Sequence, residues 1–390
     1  MTDSSRVQVP ITRPDLGAAE AEGTARVVRS GWLLQGAEVA GLEQALAAAV
    51  GAQHAIAVSN GTTALELALR ALNIGPGDEV ITVSHSFIAS AACVSAVGAT
   101  PVFADVQADT LSIDPESAQR LLSPRTRALI AVHQVGFPCD LQPLLALTRS
   151  AGIPLIEDAA CALGSELRVA GQWERIGKPH GLVACFSFHP RKVITVGEGG
   201  ALCTNDAELA HRLRLLRQHG LEKPAPFDRP LGTPDGFAIR GTNARMTDLA
   251  AVIGRPQLAR LTSIIAERRR LGDRYCAALA NHPVLAPPEE RSDARSNWQS
   301  FPTFLRPDTS WTATAVLRFL ADAGISGRAG LTNAHEEPAY ADSGSHRRGP
   351  LPVSEALRAR TVFLPLFHGM RPDEEAAVLA ALEALGHQPA

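Results

Sequence analysis

Ala55-Ile-Ala-Val-Ser59-Asn-Gly61-Thr62-Thr63-Ala-Leu-Glu-Leu-Ala-Leu-Arg-Ala-Leu72 contains, in one short stretch, the unit from which the fold is built. Residues 55–59 form an apolar run of strand length, and the segment from Thr62 to Leu72 is strongly helical. Between them lies a small polar cluster, so free backbone N–H groups and two hydroxyls gather where the helix begins. That end of a helix dipole favours an anion, with phosphate the usual guest. Capping by Asn60 or Thr62 explains the same residues, and both readings stay open at this point.

The alternation continues downstream. Strands are expected at 79–83, 101–105, 128–133, 154–157, 183–188 and 201–204, with helices at 86–97, 115–122 and 141–151 between them. Continuous apolar strands separated by helices predict an α/β domain around a mostly parallel sheet. Ligands of such sheets bind at the carboxyl ends of the strands, and two of those ends carry chemistry. The strand at 154–157 delivers Asp158, either as a helix cap or as the partner of a buried cation. The strand at 183–188 delivers Ser187 and then Lys192, just ahead of Gly197-Glu-Gly-Gly200. A lysine held away from water loses its proton readily and becomes the amine a Schiff-base enzyme needs. A solvated lysine in a glycine-rich loop is the plainer alternative.

Residues 1–24 read as a loose arm followed by the start of a helix, and Ser30–Gly36 as a turn-rich connector centred on an aromatic. Val39, Leu42, Leu46 and Val50 recur at helical spacing. Asp206 is placed to cap a basic helix, 221–242 reads as a Pro- and Gly-rich loop, and helices follow at 247–258 and 261–280. The run Arg268-Arg-Arg270 reads as a solvated face. Beyond residue 281 the pattern changes to strands near 300–305 and 361–365 and helices near 312–323 and 372–385. The expected division is a large α/β domain over 1–260, including the arm, and a smaller C-terminal α+β domain over 261–390.

Composition limits the function classes. The chain has 390 residues, 45% of them hydrophobic and 20% charged, enough for a sizeable core. A net charge of -3 gives no electrostatic reason for a nucleic-acid or membrane partner. Cysteines 93, 139, 161, 185, 203 and 276 are dispersed without zinc spacing, which points to no metal and to reduced thiols in the cytoplasm. The start MTDSSRVQVP lacks the features of a signal peptide. The longest uncharged run, near 84–104, contains Pro101 and suits a buried helix leading into a strand better than a membrane span.

Taken in order, SNGTTAL, HSFIAS, IEDAACALG, FSFHPRK with GEGGA, and GTNARMTD resemble the DegT/DnrJ/EryC1/StrS family of sugar aminotransferases. The resemblance runs from about Gly31 to Met370, and the SFHPRK segment with residues 334–340 looks most like the GDP-perosamine synthase group. It implies a fold type I enzyme using pyridoxal 5'-phosphate, with pyridoxamine 5'-phosphate as its other form. By the resemblance Lys192 is the Schiff-base lysine and proton shuttle, and Asp158 faces the pyridine nitrogen. Gly61, Thr62, Thr63 and Ser187 would hold the phosphate, and Phe87 would stack on the ring. Asn243 would reach the phosphate of a neighbouring subunit's cofactor, which implies a homodimer with shared active sites. Cys161 departs from the Gln or His usual at its position, and a thiol is a weak donor to the ring hydroxyl. Asn297 stands where a histidine often leads. The implied reaction moves an amino group from L-glutamate to a nucleotide-linked keto sugar, a 4-keto-6-deoxyhexose. Trp32, His189, Arg328 and His335 are candidates for lining the sugar's cleft. The alternatives are a cyclitol aminotransferase using glutamine and a cofactor-binding protein without turnover.

Overall fold

The apolar runs pair into an eight-stranded sheet in a computed structural model that describes residues 7–222, 236–342 and 344–388. Across the sheet the strands are His54–Val58, Gly200–Thr204, Val183–Ser187, Leu155–Asp158, Thr126–Val132, Glu79–Val83, Thr100–Ala104 and Arg347–Arg348. Gly200–Thr204 is antiparallel to both of its neighbours, and all the other pairings are parallel. Glu79–Val83 and Gly200–Thr204 are buried at every position, which is why they show no alternation of apolar and exposed polar residues. Leu155–Asp158 and Val183–Ser187 lie side by side and parallel, with Asp158 opposite Cys185. Their carboxyl ends therefore open at the same edge of the sheet.

The helices follow from local chemistry. Asn60 caps Gly61–Ala71 by accepting the Thr63 N–H, and Asp206 caps Ala207–Leu216 through the N–H groups of Glu208 and Leu209. Thr247 caps Asp248–Ala259 by accepting the Ala250 N–H. Val39, Leu42, Leu46 and Val50 form the buried stripe of Ala37–Val50. The helix expected from residue 86 starts only at Ala89, leaving Ser86 and Phe87 in the preceding turn.

A smaller antiparallel sheet joins Leu285–Ala286, Phe301–Leu305, Thr361–Leu364 and Arg328–Ala329. A hairpin not foreseen from the sequence, Glu166–Val169 with Gln172–Arg175, pairs with Ala294–Arg295. Arg347–Arg348 returns to the edge of the large sheet, where Phe103 packs against Tyr340 and His346. Of the loop expected over 221–242, residues 223–235 lie outside the described residues. Its ends pair as Leu221–Glu222 and Gly236–Phe237.

Two expectations are corrected. The described part of the arm is docked: the Val9 N–H donates to Gly324 O at 3.0 Å and Val9 O accepts the Ser326 N–H at 2.9 Å. Arg268 is not on a solvated face but is only 2% exposed. Its guanidinium donates to Trp298 O at 2.6 Å, Gln299 O at 2.8 Å and Leu366 O at 3.1 Å. A buried cation persists only where such acceptors replace its water. Among the described residues no helix is long and apolar enough to cross a membrane.

Candidate active site

Where the two carboxyl ends open, the structure has a cavity of about 830 Å³. Asp158, 5% exposed, ends its strand there. Its Oδ2 accepts the Ser90 hydroxyl at 2.8 Å and its Oδ1 accepts the Ala160 N–H at 3.2 Å. No helix begins at this point, so the carboxylate is a lining group held in place by Ser90, not a cap. Lys192 follows the neighbouring strand in a tight turn whose N–H bonds to His189 O at 2.8 Å. Its amine is half-buried and donates to Cys161 Sγ at 3.1 Å.

The cavity floor is the start of Gly61–Ala71. Asn60 takes the Thr63 N–H, and the first N–H groups of the helix, at Gly61 and Thr62, have no acceptor within it. Ser187 closes against this helix start so tightly that a Cβ on Gly61 would lie 2.7 Å from the Ser187 Cβ. A Cβ on Gly200 would lie 2.4 Å from Asn60 O. The chain thus presents bare backbone donors and a hydroxyl together, an arrangement suited to a phosphate group. Phe87 lines the cavity with 70% of its surface exposed, an open aromatic face and not a core residue.

The other walls come from distant segments. Ile11 and Thr12 of the arm line the cavity, as do Arg328, Phe363 and Leu366 from the C-terminal part. Asn297, fully buried, ties these pieces together: Nδ2 donates to Cys161 O at 2.8 Å and Leu163 O at 2.9 Å, and Oδ1 accepts the Gln299 N–H at 2.8 Å. Below Asp158, Glu157 is fully buried and accepts from His133 at 3.1 Å and from the N–H groups of His180 and Gly181 at 2.8 Å. Burial alone would raise its pKa; the His133 hydrogen bond and its charge outweigh that and hold the carboxyl below its ordinary range.

Of the residues singled out in the sequence, Lys192, Asp158, Gly61, Thr62, Thr63, Phe87, Cys161, Ser187, His189 and Arg328 all line this one cavity. Three others lie elsewhere in the chain. Trp32 is 59% exposed in the connector, and Asn243 is exposed with its backbone bridged to Gln218. His335 is not on the cavity wall: its ring bonds Ser84 Oγ at 2.7 Å and lies 3.4 Å from Glu355. Burial, and then the charge of Arg348, lower its pKa. Sequence reasoning missed Ser90, Arg191 and Gln299. Ser90 lies in the first turn of the helix Ala89–Ala96, three residues after Phe87, and that nearness in sequence was the available signal.

Together these groups fit pyridoxal phosphate: an amine for its aldehyde, a buried carboxylate for its ring nitrogen, a backbone cradle for its phosphate and an aromatic for its face. The class that the fold and this arrangement define is a pyridoxal-phosphate-dependent aminotransferase. The model of the DegT/DnrJ/EryC1/StrS aminotransferase family matches residues 14–383, and the chain belongs to that family. It is 34% identical over 381 residues to the spore coat polysaccharide biosynthesis protein SpsC of Bacillus subtilis, covering 96% of each chain. Among solved structures it is similar to DesV of S. venezuelae, a complex with a ketimine intermediate, at 35% identity and a TM-score of 0.87. That match covers 98% of this chain and 100% of DesV. An aminotransferase from Psychrobacter cryohalolentis matches at 30% identity and a TM-score of 0.91, covering 97% of this chain and 98% of its own.

Proposed function

We propose that the chain transfers an amino group from L-glutamate to a keto sugar carried on a nucleotide, a 4-keto-6-deoxyhexose. The observation that carries this reading is one cavity holding both Lys192 and Asp158, with a volume of about 830 Å³. Ligand pockets span about 300–1,000 Å³, so the space suits a cofactor and a bulky second molecule together.

Pyridoxal phosphate, when bound, supplies an aldehyde for amine exchange and a ring that accepts electrons from the substrate carbon. The residues do the rest. Gly61, Thr62 and Ser187, with Thr63 beside them, would hold the phosphate. Ser90 fixes Asp158, whose carboxylate would keep a proton on the ring nitrogen. Phe87 would cover the ring face. The Lys192 Nζ would take the proton from the donor's carbon in the first half-reaction and deliver one to the keto carbon in the second. Cys161 positions the Lys192 amine between these events.

The same reading includes a homodimer. Trp32, Leu33, Leu34 and Phe237 are large exposed apolar side chains that a second copy would cover. Asn243, exposed on its own chain, would then reach the partner's phosphate site. The division near residue 260 belongs to this reading, since helix Leu261–Leu279 leads into the smaller sheet. All six cysteines are free, which suits a reducing cytoplasm.

Borohydride reduction of the holoenzyme followed by peptide mapping should place the cofactor on Lys192. Turnover should then be assayed with glutamate or glutamine against nucleotide-linked keto sugars and scyllo-inosose. Activity confined to scyllo-inosose with glutamine would overturn the substrate assignment, and cofactor binding without any turnover would overturn the enzyme's proposed reaction.

A further inference from the structure

Gln299 sends its side chain to the backbone just ahead of the reacting amine. Its Nε2 donates to Arg191 O at 2.8 Å, across 108 residues of sequence. That carbonyl and the Lys192 N–H belong to one peptide group, and the N–H donates to His189 O at 2.8 Å. Both ends of the peptide are therefore tied, one by the local turn and one by Gln299. From the Cα so fixed, the Lys192 side chain runs to Cys161, whose sulfur accepts from Nζ at 3.1 Å.

Gln299 is itself held with little freedom. It is 9% exposed, and its N–H donates to Asn297 Oδ1 at 2.8 Å. Its carbonyl accepts from Arg268 at 2.8 Å, and its Oε1 accepts the Ser300 hydroxyl at 3.1 Å. The residue before it, Trp298, has a φ of 49°, in the left-handed region that a bulky side chain rarely enters. The Trp298 ring is buried against Phe137 and Phe301, with centroids 5.3 Å and 5.1 Å away. Backbone strain of this kind persists only where the surroundings over-determine it. The Gln299 amide adds nothing to that apolar packing; it lines the cavity and ends on the Arg191 carbonyl. The strand Phe301–Leu305 starts two residues later, so this hydrogen bond links the smaller sheet to the peptide that carries Lys192.

A group that moves a proton must stand within hydrogen-bond reach of the carbon it serves, and a misplacement of about 1 Å can cost about a hundredfold. During amine exchange the Lys192 amine is not joined to the cofactor, so its place is set from its backbone end. We propose that Gln299 is the positioning residue for Lys192, setting the direction of the lysine through the Arg191 carbonyl. This rests on the reading of Lys192 as the amine that joins the cofactor and carries the proton.

The full chain, stripped of cofactor, is titrated calorimetrically with pyridoxal phosphate and with pyridoxamine phosphate. Only the aldehyde can join Lys192, so the ratio of the two affinities reads how well the amine is placed. Gln299→Met keeps the length of the side chain and loses the donor; Gln299→Glu keeps its shape and offers no N–H. In either variant the preference for the aldehyde should fall about 3- to 10-fold, the worth of one hydrogen bond, with the pyridoxamine phosphate affinity unchanged. In the reloaded holoenzyme the limiting rate of the glutamate half-reaction, followed by the cofactor spectrum, should fall about 10- to 100-fold while half-saturation stays within about threefold. A merely structural role would lower both affinities together. That result, an unchanged preference, or a limiting rate that matches wild type would each overturn the proposal. Lys192→Ala is the control on the underlying reading: if it keeps the wild-type preference, Lys192 is not the joining amine, and the proposal falls with that reading.

Discussion

Asn297→Ala tests whether one buried amide holds the wall behind Lys192. The side chain is fully buried and makes three hydrogen bonds, to Cys161 O, Leu163 O and the Gln299 N–H, all at 2.8–2.9 Å. Alanine leaves two carbonyls and one N–H without partners. Each stranded group costs about 1–3 kcal/mol, so the variant should lose about 3–9 kcal/mol. Against a total stability of about 5–15 kcal/mol, that is a large fraction. Asn297→Asp is the sharper control. Its carboxylate would face two carbonyls with no proton to give, and protonation restores one donor, so this variant should recover stability as pH falls. Urea unfolding followed by tryptophan fluorescence measures both. The same loss should appear as reduced activity, because Cys161 O anchors the residue that touches the Lys192 amine. A loss under 1 kcal/mol in Asn297→Ala, with a pH-independent Asn297→Asp, would refute the reasoning.

Lys192→Ala should abolish turnover while leaving thermal stability within about 0.5 kcal/mol, since the amine is half-buried and among the described residues bonds only a thiol; measurable turnover would remove it from the mechanism. Asp158→Asn should slow turnover by about 4 kcal/mol or more, roughly a thousandfold, read as kcat. A rate within tenfold of wild type would rule out its role at the ring nitrogen. Glu157 is held below the ordinary value of 4.5, so the stability it contributes is present above that pH and is lost as pH falls through its lower folded value. The melting-temperature gap between wild type and Glu157→Gln should therefore be widest above pH 4.5 and narrow below it; a constant gap would contradict the linkage.

Much of this was legible in the sequence because strand ends and helix starts are local. The polar cluster after an apolar strand marked Gly61 to Thr63, and the strand-delivered lysine and carboxylate marked Lys192 and Asp158. What escaped the reading depends on contacts far apart in the chain. Asn297 has no local signature, since its three partners lie in segments brought to it by folding. Ile11 and Thr12 complete the cavity only because Val9 docks beside Ile325. Arg268 was the avoidable miss. It continues the stripe of Leu261, Ile264, Leu271 and Tyr275 on its helix, all buried, and that periodicity outranks the presence of two neighbouring arginines.

The two-residue strand Arg347–Arg348 bears on whether the molecule can be divided. Severing the chain near residue 260 would bare the outer edge of Thr100–Ala104 and uncover the Phe103 ring that Tyr340 and His346 flank. An edge left open in that way recruits foreign strands. Separately expressed halves should precipitate, and the C-terminal part is better regarded as a buttress than as a portable module.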